Sequence, residues 1–400
     1  MTDQSKSKLV LFGAGKIGRS FIGQLFSRGG YEVVFIDVYK PVIDELNRRH
    51  HYNVVIKGDP QTVLNIQNVR AVYAGEEQKV IQEIVSASIV AVSVGQNGLR
   101  SIIPLLAKGI IKRFDCVQAL PLDIIIAENL RNAAEFMRAQ FKIALPSGYP
   151  FEQRVGLIET SIGKMVPIML QKDMEEDILQ VFAEPYNTLI LDKRAFKNPI
   201  PDIEGLAPKQ NMKAWVDRKL FIHNLGHASA VYLGYLAHPD ATYLYEVLSD
   251  SQLRDVVRKT MLQAADILLA KYPGEFTIGS LTDHIDDLLR RFQNKALGDT
   301  LFRVGCDLKR KLSSQDRLSG AIHLARELKL PYDLILKSLV CGCHFGATDE
   351  AGKRLQSDLE FELIFAKGIS EVLTSVCGFA YDSDAELIQD AISIDNSLKL

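Results

Sequence analysis

Lys8–Phe12 is a short apolar run, and Gly13-Ala14-Gly15-Lys16-Ile17-Gly18 follows it without a spacer. An amphipathic helix is expected over 19–28, closed by Gly29 and Gly30, and a second apolar run over 32–36 ends on Asp37. Strand, glycine turn, helix and strand in this order leave few folds open. The first glycine permits a tight turn, the second lets backbone approach a pyrophosphate, and the third lets the helix pack closely on the strand. The helix N-terminus then offers its N–H groups to the anion. Asp37 stands where a carboxylate can accept both hydroxyls of an adenosine ribose. A glycine triplet alone is weak evidence, but one set between strand and helix with an acid closing the next strand points to a dinucleotide site.

The acid also selects the cofactor. A 2′-phosphate beside Asp37 would be repelled, so NAD is expected rather than NADP, with Lys40 leaving room for limited dual use. Lys16 and Arg19 are expected near the diphosphate, and Phe12, Ala14 and Ile17 complete the expected cofactor contacts. Further strands are expected over 89–94, ending in Gly95, and over 123–127, ending in Glu128 and Asn129, with a helix over 99–109 between them. Ligands of open parallel sheets bind beyond the carboxyl ends of the strands, so Gly95, Gln96, Asn97, Glu128 and Asn129 are candidate walls of the nicotinamide site. Asn129 also suits a helix N-cap. Residues 155–159, 164–168 and 187–191 read as added strands. The first half is therefore expected to be an α/β Rossmann domain with an extended, mostly parallel sheet.

Residues 198–208 are the stretch richest in Pro and Gly, which places a boundary between a domain 1–205 and a domain 206–400. Helical periodicity then dominates, over 212–236, 240–271, 280–291, 300–311, 314–328 and 332–344, with two more helices near 356–365 and in the stretch to 400. Pro239, Pro273 and Pro331 mark joints between helices. An all-α second domain is expected. A formal net charge of −2 provides no basic field for nucleic acid or an anionic membrane, so any phosphate must be met by a local group of cations. The five cysteines are few and mostly isolated, which suits a reducing compartment. Cys341-Gly342-Cys343-His344 offers too few ligands for a structural zinc site. A polar N-terminus without a signal pattern, and the lack of a long apolar span, make the cytoplasm the expected location.

One helix, over 213–227, carries unusual chemistry: Lys219, His223, Asn224 and His227. At about 100° per residue they fall near 0°, 40°, 140° and 80°, within one broad face. An amphipathic helix with a solvated side is the plain reading of that spacing. Nearer the C-terminus, Arg310, Lys311 and Arg317 surround Ser313 and Ser314, either of which would cap the next helix. A helix start flanked by such cations also suits a phosphate.

Together these residues resemble the polyol-specific long-chain dehydrogenase/reductase (mannitol dehydrogenase) family. Its signature is a Lys, an Asn five residues on and a His three further, on a helix behind a Rossmann domain. Lys219, Asn224 and His227 match it, and Asn129 matches the Asn after the fifth strand's Glu. Residues 12–23, 217–221, 224–228, 310–313 and 316–318 resemble a branch of the family that acts on a polyol phosphate, although Gly346 stands where an Arg of that branch is expected. The resemblance implies zinc-independent, reversible, NAD-dependent oxidation of mannitol 1-phosphate to fructose 6-phosphate. Lys219 would be the base, Asn129 and Asn224 the donors to the developing alkoxide, and His227 would orient substrate hydroxyls. Arg310, Lys311 and Arg317 would hold the phosphate.

The expected partner is a small sugar or polyol phosphate, with neither nucleic acid nor membrane, on a monomer or small homo-oligomer. His223 and His227 stand at i, i+4, but no third metal ligand accompanies them. Two alternatives stay open: a dehydrogenase of an unphosphorylated polyol or hexuronate, and a non-catalytic NAD-binding sensor.

Overall fold

Alternation along β1 (Lys8–Phe12) sets the layers of the first unit. Leu9 and Leu11 enter one apolar core, and Val10 and Phe12 enter another on the opposite face, as the two-residue period of a strand requires. The same division holds for Val33 and Phe35 against Val34 and Ile36 in β2 (Glu32–Asp37). A sheet covered on both faces needs the near-continuous apolar strands seen in the sequence. The computed structural model describes residues 7–115, 120–169 and 171–398, and the backbone alone of Gln96. Cys116 therefore lies outside the described residues, as do the first six residues and the last two, and nothing is described of the side chain of Gln96, one of the expected nicotinamide-site residues.

The remaining strands are β3 (His51–Ile56), β4 (Thr62–Gln67), β5 (Val69–Tyr73), β6 (Ile89–Val92), β7 (Leu122–Ile126), β8 (Val155–Ser161), β9 (Val181–Ala183), β10 (Leu189–Asp192) and β11 (Leu206–Lys209). They form an eight-stranded sheet in the order β11-β10-β8-β7-β6-β1-β2-β5 and a three-stranded sheet, β4-β3-β9. In the large sheet only β10 against β8 pairs antiparallel. From β5 to β8 the order is that of a doubly wound dinucleotide fold, with its reversal between β1 and β6.

The small sheet, absent from the expected layout, explains one misreading. The helix expected to be amphipathic over 19–28 is buried almost throughout. It starts as a π-helix, Gly18–Gly23, and continues as Gln24–Arg28. A Cβ on Gly23 would lie 2.7 Å from Phe35 of the large sheet and 2.9 Å from Tyr52 of the small one, so this helix is pressed between two sheets. Residues 164–168, expected as a strand, have no regular structure; the Met165 N–H bonds to the buried Glu184 carboxylate and Lys164 Nζ donates to Asn187 at 2.8 Å.

The compact units divide at Val216/Asp217, later than the 205/206 boundary expected from composition. Residues 206–209 add the outermost strand to the large sheet and so belong to the first unit. The second unit is helical. Its central helix, Leu225–Ala237, is apolar on nearly all sides: a Cβ on Gly226 would lie 2.5 Å from Met261 and one on Gly234 2.8 Å from Val247. Pro239, Pro273 and Pro331 fall between helices, as expected. The helix expected over 314–328 begins only at Ser319, with Leu318 rather than Ser313 or Ser314 at its N-cap. The expected 300–311 helix is two, Leu301–Gly305 and Leu308–Lys311, broken at Asp307, whose φ is 71°. The buried Asp358 accepts the Asp307 and Leu308 N–H groups there, at 2.9 and 2.6 Å. Among the described residues no helix is long and apolar enough to cross a membrane.

Candidate active site

In the first unit the glycine turn has the geometry its residues require. Gly13 has φ +100°, and a Cβ there would lie 2.0 Å from the Ser93 carbonyl oxygen. A Cβ on Gly18 would lie 2.1 Å from the Gly13 carbonyl oxygen, the close helix–strand approach of a third glycine. Gly15 faces open space. Beside it lies a cavity of about 420 Å³ lined by Ala14, Gly15, Lys16, Asp37 and Tyr39, with Met169 and Met174 among its other walls. Asp37 is fixed at this cavity by three backbone donors, Ala14 at 2.6 Å, Val38 at 2.7 Å and Tyr39 at 2.9 Å. An open glycine, a helix start and a fixed carboxylate on one cavity suit the adenosine diphosphate half of NAD. Asp37→Ser is expected to raise kcat/KM for NADP relative to NAD by on the order of tenfold, about 1.4 kcal/mol, in initial-rate assays with both cofactors.

Arg19 also lines this cavity; it is buried and commits its guanidinium to carbonyl oxygens of Ala14 (2.8 Å), Ile178 (3.0 Å) and Leu179 (2.6 Å), which braces the cavity wall. Phe12 is a core side chain, and Ile17 packs against the opposite core. Lys16 is exposed, and Lys40 lies over the Tyr73 ring at 4.8 Å.

At the reversal point, Glu128 Oε1 accepts the N–H groups of Val94 (2.6 Å) and Gly95 (2.8 Å), tying the loop after β6 to the loop after β7. Burial pushes the Glu128 carboxyl up, against the two backbone donors. Asn129 is exposed at the end of β7. It is not a helix cap: the next helix, Ala133–Ala144, has Asn132 at that position, with φ 56°. Glu128→Ala would release the loop that carries Gly95, and about a tenfold weaker NADH affinity is expected in a fluorescence titration.

In the second unit, the helix with the Lys/Asn/His set is not a plain α-helix. It is α over Met212–Arg218, π over Lys219–Asn224 and α again over Leu225–Ala237. The Leu225 N–H reaches the Leu220 carbonyl, five residues back. That wider turn brings the residue five on closer in phase to the first, so Asn224 stands nearer Lys219 around the axis than the 140° of an α-helix. His223 is buried, with its ring 5.6 Å from Phe292 and edge-on to it. Burial, then Arg291 and neighbouring cationic groups, lower the His223 imidazolium well below its ordinary value.

Burial first and the charge of Arg317 second lower the Lys219 ammonium to about 8. Lys311, which is buried, is lowered to about 8 by the same two causes in the same order. Its Nζ donates to the Val304 carbonyl at 2.6 Å. His227 is lowered by burial; Asp299 opposes this, and Arg317 and Lys311 reinforce it. Arg317 thus acts on Lys219, His227 and Lys311 alike, with its Nε held by Asp316 at 2.8 Å. Arg310, expected in this group, is 55% exposed and paired with Asp307 at 2.5 Å and Asp316 at 3.3 Å. Lys219, His227 and Lys311 therefore all feel the Arg317 charge, Asn224 shares the π turn of Lys219, and Arg310 is exposed. Cys341 and Cys343 are buried, and His344 Nε2 lies 2.7 Å from Asp395; among the described residues no three His, Cys, Asp or Glu side chains cluster as metal ligands.

The sequence matches the model of the mannitol dehydrogenase Rossmann domain over residues 7–205 and that of the mannitol dehydrogenase C-terminal domain over residues 211–391. The chain belongs to the mannitol dehydrogenase family. At that level it is a polyol dehydrogenase with an NAD-binding Rossmann domain. Among similar solved structures is a D-sorbitol dehydrogenase in substrate-free form, at 18% identity and TM-score 0.82, covering 98% of this chain and 93% of that one. Another is Pseudomonas fluorescens mannitol 2-dehydrogenase in a ternary complex with NAD and D-mannitol, at 16% identity and TM-score 0.75, covering 99% and 92%. At these identities the likeness is one of fold.

Proposed function

We propose that this mannitol dehydrogenase family member oxidises mannitol 1-phosphate to fructose 6-phosphate with NAD, reversibly. The observation that carries the phosphate is the placing of Arg317, whose charge bears on the candidate base Lys219 and on His227 and Lys311. A neutral polyol needs no such cation, and a dianionic phosphate would be drawn to it. Gly13, Gly15, Gly18 and Asp37 would hold NAD, which supplies the hydride acceptor when bound.

Lys219, with its ammonium lowered to about 8, has a useful neutral fraction near neutral pH and takes the proton of the reacting hydroxyl. Asn224, on the π turn with Lys219, donates a hydrogen bond to the oxygen as negative charge grows on it. His227 orients a neighbouring hydroxyl. In the reverse direction the Lys219 ammonium returns the proton to the alkoxide.

A free polyol is the second reading. Arg310 is already engaged by Asp307 and Asp316, and mannitol 2-dehydrogenase, of similar fold, is known in complex with D-mannitol. Rates of NAD reduction with mannitol 1-phosphate and with mannitol separate the two. Turnover of the phosphate ester alone supports the proposal, and turnover of mannitol alone replaces it with the second reading.

A further inference from the structure

We infer that Asp299 is the positioning residue for His227, holding the proton on Nε2 so that Nδ1 faces substrate as a hydrogen-bond acceptor. This rests on reading the Lys219 helix as substrate-binding. Asp299 follows Gly298, whose φ of 64° closes the turn after the short helix Lys295–Leu297. The residue is anchored twice: its carbonyl accepts the Leu244 N–H at 2.9 Å, and its Oδ1 pairs with Arg303. The carboxylate is 5% exposed, and Oδ2 lies 3.5 Å from His227 Nε2. Burial works to raise the Asp299 carboxyl, and His227 and Arg303 outweigh it, leaving it below the ordinary range.

The ring of His227 has little freedom. It stacks on Phe292 at 4.5 Å and an interplanar angle of 6°, with His223 edge-on at 6.2 Å. Nε2 is buried and has no hydrogen-bond partner at ordinary distance, so Asp299 is the acceptor it faces. A neutral imidazole has one N–H and one lone pair. The proton on Nε2 points at a carboxylate, whereas a lone pair there would face the same negative charge. The N–H therefore belongs on Nε2, and Nδ1 is left to accept. The side chain is 17% exposed although Nε2 is buried, so its open edge lies elsewhere on the ring. Arg317 and Lys311 are the cationic groups that oppose a second proton on His227, and His223, edge-on to it, is itself held neutral by burial.

Two measurements test this. In the full-length protein with 15N-labelled histidine, the His227 signals at pH 7.5 are expected to show the Nε2–H tautomer; Nδ1–H or imidazolium overturns the inference. In turnover, Asp299→Asn is expected to raise KM for the ketose about 30-fold with a smaller change in kcat and no change in NADH affinity. In the His227→Ala background the same change is expected to cost less than twofold. An equal loss with and without His227 makes Asp299 a structural residue only. Should the unaltered enzyme reduce no ketose, the functional reading fails by itself, and the tautomer still decides the pairing.

Discussion

Lys219→Met is expected to lower kcat with fructose 6-phosphate by about 10³-fold, while NADH affinity, measured by fluorescence titration, stays unchanged. The pH dependence gives the sign. Oxidation uses the neutral amine, and burial followed by Arg317 lowers the ammonium to about 8. The oxidation rate is therefore expected to rise from pH 7 through 8 and level off near 9. Reduction uses the ammonium as donor and is expected to fall over the same range. A lysine at its ordinary value of about 10.4 would place both limbs more than two pH units higher. Both limbs vanish in the Met variant. Retention of half the turnover, or a limb near 8 that survives the substitution, would assign the proton to another group.

Arg317→Ala carries the second large effect. Hydrogen bonds to charged groups contribute about 1.5–3 kcal/mol each, so KM for fructose 6-phosphate is expected to rise about 10- to 100-fold. Any turnover of free fructose, which carries no phosphate for Arg317 to meet, is expected to change little. Because the Arg317 charge is one of the two causes that lower Lys219, its removal is expected to move the oxidation limb to higher pH. Parallel loss with both ketoses and an unmoved limb would make Arg317 a structural residue held by Asp316. Initial rates for the two ketoses from pH 6.5 to 10 read both effects in one series.

Features written in contiguous residues were legible without a structure. The strand–glycine–helix–strand–Asp37 order is local, and each residue type has one geometric reason to be there. Gly13 and Gly18 meet Ser93 and Gly13 as the turn demands. The Lys219 set was legible as a list of groups, but its phase was not. Periodicity assumes α geometry, and nothing in 219–224 announces an i→i+5 turn, so Asn224 was misplaced around the axis. Long-range partners were also hidden. Arg19 reads as a diphosphate contact, and nothing local shows that chain 160 residues later supplies carbonyls to its guanidinium. Ser313 and Ser314 have the right chemistry for a cap, yet turn residues up to Leu318 delay the helix. Asp299 and Phe292 gave no signal, because their meaning lies in what they touch across helices. The Pro/Gly-rich stretch leads into β11, whose pairing with β10 carries the compact first unit on to Val216.

The proposed reaction is hydride exchange between the nicotinamide and a phosphorylated sugar, with Lys219 moving the proton. Following deuterium from 4-deuterated NADH into product tests it most directly. With fructose 6-phosphate, mass spectrometry is expected to find one deuterium on the former carbonyl carbon of a polyol that keeps its phosphate. Label appearing only in the product from free fructose, or in no sugar while NADH stays bound, would contradict the account.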